Sequence, residues 1–255
     1  MTLSITFLGS GSAFSLQPGN YQSNLLLQKD NDTMLIDAGG DLRFSLNDQG
    51  LGYLDIKNVY ITHLHADHIG GLEWLALNTY FDPNYEGKPS LFASETIIHD
   101  LWHKSLSGGL CTLATQLATL ETYFNVHPLT LEKKYTWNGV SFKLVQAVHI
   151  VSDHVLQPCY GLMINYHNTS IFFTADTQLA LHQLQDFYRE ADIIFHDCET
   201  SERISGVHAH YSELVQLPPE LKKKIWLYHY NSGVLPNAEA DGFLGFVKKG
   251  QSFVF

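Results

Sequence analysis

The sequence predicts an α/β protein whose sheets are covered by helices on their outer faces, and three observations carry that expectation. Short apolar strands alternate with helical segments along the chain. Apolar residues make up 45% of the 255 and charged residues 16%, enough to bury a sizeable core without disordered tails. No Pro/Gly/Ser linker or low-complexity stretch divides the chain. Residues 1–255 therefore read as one domain, whose two halves share a strand rhythm but no residue-level repeat.

Each element has a local reason. "SITFLG" is strand-like, "SGSAFSLQPGN" is turn-rich, and "SNLLLQK" resumes as strand, so the opening reads as a hairpin. "TMLIDAG" is a third strand ending in Gly39 and Gly40. "NVYIT" is a short β-branched strand that runs into a histidine cluster. "LEWLALNTYF" follows as a helix stopped by Asp82–Pro83. Residues 94–125 read as helix and loop, with "SGG" at 107–109 as a break. The strands "VSFKLVQAVHI", "YGLMINY", "SIFFTAD", "DIIFHD" and "KIWLYHY" complete the pattern, with the helix "QLALHQLQDFYREA" between the third and fourth.

Composition excludes several classes. The formal charge of −11 repels a long polyanion, so extended nucleic-acid binding is not expected, whereas a local cationic pocket can still take a small anion. Apolar runs such as "LVQAVHIV" fall short of the roughly 20 residues of a membrane helix. The first residues show no basic region followed by an apolar one, so no signal peptide is expected. Cys111, Cys159 and Cys198 have no paired spacing and fit a reducing cytoplasm.

The chemistry gathers in "THLHADHIGG", residues 62–71. With the strand ending near Thr62, His63 and His65 lie on one side of extended chain, while Asp67 and His68 occupy the turn before the helix. Two imidazoles then point into one pocket and an imidazole plus a carboxylate into its neighbour. This is a donor set that zinc favours, with room for two metals if further ligands arrive from elsewhere. The bland alternative is a polar turn with chance histidines. His149, Asp176 and His229 end later apolar strands, where a buried ionisable group needs a partner or a metal. His154, in "HIVSDH", competes with His149.

These motifs, from "FLGSGSAFS" through "LIDAG" and "THLHADHIGG" to "YHY", resemble the metallo-β-lactamase superfamily over nearly the whole chain. The resemblance implies a four-layer αβ/βα sandwich of two mixed β-sheets with helices on the outer faces. It further implies two Zn2+ per chain, with Mn2+ or iron as alternatives. One metal would take His63, His65 and His149, and the other Asp67, His68 and His229, with Asp176 bridging them. Asp67 would also orient the nucleophile.

The stretch "SGVHAHYSEL", residues 205–214, is similar to tRNase Z-like phosphodiesterases, in which a histidine before a helix protonates the leaving oxygen. His208 matches that position and His210 is the second candidate, unless both decorate a loop. Glu199, in "DCET", sits where such enzymes carry an acid that orients this histidine. The chain lacks the basic arm of tRNase Z: Lys88 and Lys104 are the lysines or arginines between residues 82 and 125. "GGLEWLALNTYF", "CYGLMI", "HAHYSELVQLP" and "GFVKKGQSFVF" look similar to the anti-Pycsar cyclic-nucleotide phosphodiesterases of phages and bacteria. That likeness implies a cytoplasmic homodimer, in the host if phage-encoded, acting on a small anionic nucleotide. Phe14, Tyr160, Tyr228 and Tyr230 either stack on a base or pack in the core. RNA 3′-end cleavage, thioesterase or lactonase chemistry, and a metal-bound scaffold are the competing readings.

Overall fold

Two runs of apolar strands build two mixed sheets in the computed structural model, which describes residues 2–16 and 19–255. Gln17 and Pro18, in the turn-rich opening, lie outside the described residues. By its contacts the chain divides into two units, one of residues 2–9, 21–130 and 250–254, the other holding most of the remainder.

In the first unit the sheet runs Ser252–Val254, Leu3–Phe7, Leu25–Lys29, Asp32–Ile36, Asn58–Ile61, Ser90–Ser94, Asn125–Leu129. The first four strands are antiparallel and the rest join in parallel. Asn58–Ile61 is buried throughout, as expected of a strand inside a parallel array. The helix Leu72–Phe81 buries Leu72, Leu75, Ala76 and Thr79, the three-and-four spacing of one helical face. Its approach depends on paired glycines: a Cβ on Gly39 would lie 2.3 Å from the Asp67 carbonyl, and one on Gly71 would lie 2.5 Å from the Gly39 carbonyl. These glycines lock the two loops that carry Asp37 and the histidine cluster against each other.

The second unit repeats the plan. Its sheet runs Gly245–Phe246, Ile225–Tyr228, Ile193–Asp197, Thr169–Phe173, Tyr160–Tyr166, Val140–Gln146, Lys134–Trp137. The strands from Lys134 to Phe173 are antiparallel and the later ones parallel. The helix Leu181–Glu190 packs Leu184 and Tyr188 onto this sheet, where Phe172 meets the Phe187 and Tyr188 rings.

The structure departs from the sequence expectations in two places. Residues 107–110 are helical, with a π-helical turn before them at Leu101–Leu106. "SGG" therefore does not break the chain. Gly109 serves close packing instead, since a Cβ there would meet the Glu73 carboxylate. The strand before His149 stops at Gln146 and the one before Asp176 at Phe173, so only His229 follows its strand directly. Among the described residues no helix is long and apolar enough to cross a membrane.

Gly161 tests the packing of the second sheet, because a Cβ there would lie 2.3 Å from the Phe173 carbonyl oxygen and 2.5 Å from that of Thr174. Backbone cannot rotate away as a side chain can. Gly161→Ala is expected to cost about 1–3 kcal/mol of stability, read by denaturant unfolding. An unchanged midpoint would contradict this packing.

Candidate metal centre

In each unit ionisable side chains gather beyond the carboxyl ends of sheet strands, most of them parallel ones, where α/β sheets present ligand sites. The backbone is strained there. Asp37, Ala175 and His229 hold left-handed φ values of 61°, 53° and 62°, a conformation non-glycine residues adopt mainly where surrounding contacts enforce it.

In the first unit Asp37 organises the cluster. Its carboxylate accepts from the Thr62 amide at 2.8 Å, from the Thr62 hydroxyl at 2.8 Å and from His68 Nδ1 at 2.7 Å. Since the Thr62 hydroxyl spends its proton on Asp37, it accepts from His63 Nδ1, 3.0 Å away. The hydrogen-bond network thus assigns the Nδ1–H tautomer to both His63 and His68. His63 Nε2 then faces His65 Nδ1 at 3.0 Å, and His68 Nε2 faces Asp67 Oδ2 at 3.2 Å. The second contact sets a lone pair against a carboxylate oxygen.

Asp197 has the same office in the second unit. Its Oδ2 accepts from the Thr177 amide at 2.8 Å and from His208 Nδ1 at 2.7 Å, and its Oδ1 lies 3.3 Å from His229 Nδ1. His149 Nδ1 donates to the Val207 carbonyl at 2.8 Å. The Nε2 atom of His149 is left as an acceptor 3.9 Å from Asp176 Oδ2, and that of His229 lies 3.5 Å from the same oxygen. Asp176, Asp197, His208 and His229 each offer a ligand atom within 4.8 Å of the others.

Imidazole nitrogens and carboxylate oxygens converging in buried surroundings fit a cation. A coordinating histidine binds as the neutral imidazole with its far nitrogen hydrogen-bonded to a carboxylate or carbonyl, which is the arrangement found at His68 and His149, while His229 Nδ1 lies 3.3 Å from the Asp197 carboxylate. Burial pushes the His149 pKa down, which keeps it neutral. Burial also holds the Asp37 carboxyl above its usual range, in spite of its pairing with His68. A cation on the far side of that ring would supply compensating positive charge. His208 differs: burial would lower its pKa, but the Asp197 carboxylate and the hydrogen bond to it outweigh burial and raise it. With 19% of its side chain exposed, it is the cluster's opening to solvent.

A family model described as "Anti-Pycsar protein Apyc1" matches residues 3–253. The chain belongs to the anti-Pycsar Apyc1 family. The anti-Pycsar protein Apyc1 of Paenibacillus harenae is 37% identical over 235 residues, covering 90% of each chain. That of Bacillus phage vB_BsuM-Goe3 is 30% identical over 262 residues, covering 99% of this chain and 98% of its own. Among solved structures, the metallo-beta-lactamase fold protein YhfI from Bacillus subtilis aligns over 100% of both chains with a TM-score of 0.75 at 17% identity. Human tRNase Z, short form, aligns over 98% of both with a TM-score of 0.66 at 17% identity. The metallo-β-lactamase fold expected from the motifs is thus shown. An Apyc1-family chain with this fold and these His/Asp clusters is a metal-dependent hydrolase with a divalent-metal site.

Within this Apyc1-family chain the remaining sequence candidates fall into place. His154 lies exposed at a hairpin tip with φ 66°, apart from the His149 cluster. His210 caps the helix Tyr211–Leu214 and spends its ring nitrogens on Ser212 and the Ser201 carbonyl. Glu199 does not touch His208: its carboxylate holds Ser201 and Ser205, and the acid that orients His208 is Asp197. Phe14 is 88% exposed. Tyr160, Tyr228 and Tyr230 are buried and pack as core rings, so the base-stacking reading does not hold for them. The Tyr230 hydroxyl donates to the Val247 carbonyl and accepts from Ser10, whose own carbonyl holds the His229 amide. Sequence reasoning missed Asp37 and Asp197. The available signal was an acid at the end of a buried strand.

Asp37→Asn would place an amide donor against His68 Nδ1 and push its proton to Nε2. Metal affinity is expected to fall about 10–100-fold, read by chelator competition with circular dichroism as the folding control. Unchanged affinity in folded protein would contradict the role given to Asp37.

Proposed function

We propose that this chain is a dinuclear metal-dependent phosphodiesterase that opens 3′,5′-cyclic nucleotides to nucleoside monophosphates. The observation that carries the reading is the Asp197–His208 pair, whose Nδ1 lies 3.9 Å from Asp176 Oδ2, in a chain matched by the anti-Pycsar family from residue 3 to 253. A phosphodiester departs as an alkoxide, a poor leaving group, and a positioned acid contributes roughly 10²–10⁴-fold. A thioester, which releases a thiolate, has less need of one.

The proposed ligands are His63, His65 and His149 for one ion and Asp67, His68 and His229 for the other, with Asp176 shared. Zinc suits the set, and manganese or iron are alternatives. Bound ions supply a lowered pKa for water and charge compensation at phosphorus. The protein's own groups do the rest. Asp67 orients the attacking water. The His208 ring, protonated because Asp197 stabilises the imidazolium, passes a proton from Nε2 to the departing ribose oxygen. Asp197 keeps the ring fixed through Nδ1 during that transfer. The net charge of −11 favours a small anion over a polynucleotide, and a homodimer in the cytoplasm completes the proposal.

The test is a panel of cyclic mononucleotides, pre-tRNA, S-lactoylglutathione and lactones offered to metal-loaded protein. Cyclic mononucleotides are expected to turn over, and His208→Ala to slow that turnover about 10²–10⁴-fold with metal retained. Cleavage of pre-tRNA alone would replace this reading with RNA 3′-end processing. Activity on the thioester or lactones alone would replace the phosphodiesterase.

A further inference from the structure

The segment 201–207 carries the carbonyl that orients His149, yet most of it is exposed and has no helix or strand of its own. Something must give it a single shape. Ser205 Oγ lies 3.2 Å from the Val207 amide, and Gly206 takes a left-handed φ of 77°. Beneath the turn is Glu199, a buried carboxylate one residue past the point where the Cys198 amide joins the Tyr228 carbonyl. Its Oε1 lies 2.8 Å from the Ser201 hydroxyl, whose single proton it shares with the Arg203 carbonyl 2.6 Å away in the same turn. Its Oε2 accepts from the Ser205 amide at 2.9 Å and the Ser205 hydroxyl at 3.0 Å. The Glu199 main chain is fixed on both sides, since its amide donates to Ala209 and its carbonyl accepts from Tyr211.

We propose that Glu199 is a positioning residue for His149: its carboxylate folds the 201–207 turn so that the Val207 carbonyl holds His149 in the Nδ1–H tautomer, with Nε2 turned toward Asp176. The carboxylate is anchored on rigid main chain, both its oxygens are spent on the turn, and the turn ends in the carbonyl 2.8 Å from His149 Nδ1. A histidine without that acceptor divides its proton between two nitrogens and loses ligand character at Nε2. Because His208 directly follows Val207, the same clamp sets where the His208 backbone begins. The effect on His208 passes through the chain, not through any contact with its ring. Buried carboxylates that lose their partners are costly, so the clamp and its partners act as a unit.

This inference rests on His149 being a metal ligand, not on the identity of the substrate. In metal-free protein, two-bond 15N–1H correlation spectra are expected to show His149 as a single Nδ1–H tautomer. Glu199→Ala should yield a mixture of tautomers and, on chelator competition, a metal affinity about 10–100-fold weaker. Glu199→Gln keeps an acceptor for Ser205 and is expected to retain both properties. If Glu199→Ala does not fold, Ser201→Ala with Ser205→Ala removes the two hydroxyl donors and should move both readouts in the same direction. A shifted tautomer with unchanged metal affinity would remove His149 from the ligand set and with it the metal half of the proposal. A single Nδ1–H tautomer and wild-type affinity in folded Glu199→Ala would overturn the proposal.

Discussion

The site depends on which nitrogen of each buried imidazole carries its proton. A neutral histidine has one N–H and one lone pair, and only the lone pair serves a metal. Three acceptors make that choice: Asp37 for His68 and, through Thr62, for His63; Asp197 for His229; and the Val207 carbonyl for His149. The Nδ1 protons of His63, His68 and His149 are taken in this way, and Asp197 lies nearest that nitrogen of His229. Nε2 of His68, His149 and His229 therefore faces a buried carboxylate, and Nε2 of His63 faces His65. The rest of the structure around the site either places those acceptors or keeps water from competing with them.

The two sheets meet this requirement in the same way, each within its own unit. Antiparallel strands hand over to parallel ones, and the loops at the carboxyl ends of the parallel strands bear the acids. Asp37 follows a strand whose neighbour leads into Thr62 and His63. Asp197 ends a strand whose neighbour leads into His229. Neighbouring strands hold backbone positions to fractions of an ångström, so an acid at the end of one strand finds an imidazole at the end of the next. Glycine supplies what a side chain would obstruct, at Gly39 and Gly71 around the first cluster and at Gly161 beneath the second.

Much of this was legible in the sequence, for a physical reason. The strands, the helix at 72–81 and the ligand candidates His63, His65, Asp67 and His68 rest on local patterns, which hydrophobic periodicity and donor spacing express directly. Asp37 and Asp197 act across 31 and 11 residues on His68 and His208, and no local pattern marks such a pairing. The choice between Asp197 and Glu199 turned on where a strand ends. Residues two apart in extended chain face the same side, and only the register at 193–197 shows which carboxylate reaches His208. "SGG" misled because a glycine that admits a carboxylate reads the same as one that ends a helix. Tyr230 misled because a ring beside a proposed ligand looks available until its hydroxyl is found on Ser10 and Val247.

An acidic protein that crowds carboxylates and imidazoles into its interior needs positive charge from elsewhere, and bound cations would supply it where lysine and arginine do not. The proposed dinuclear centre follows from that need, together with the number of lone pairs the fold turns inward. The most direct measurement is elemental analysis by inductively coupled plasma mass spectrometry of protein loaded with zinc and freed of excess by desalting. The proposed centre requires about two zinc ions per chain, as each proposed metal takes one. A ratio settling at one, with Asp176→Ala leaving it unchanged, would contradict it.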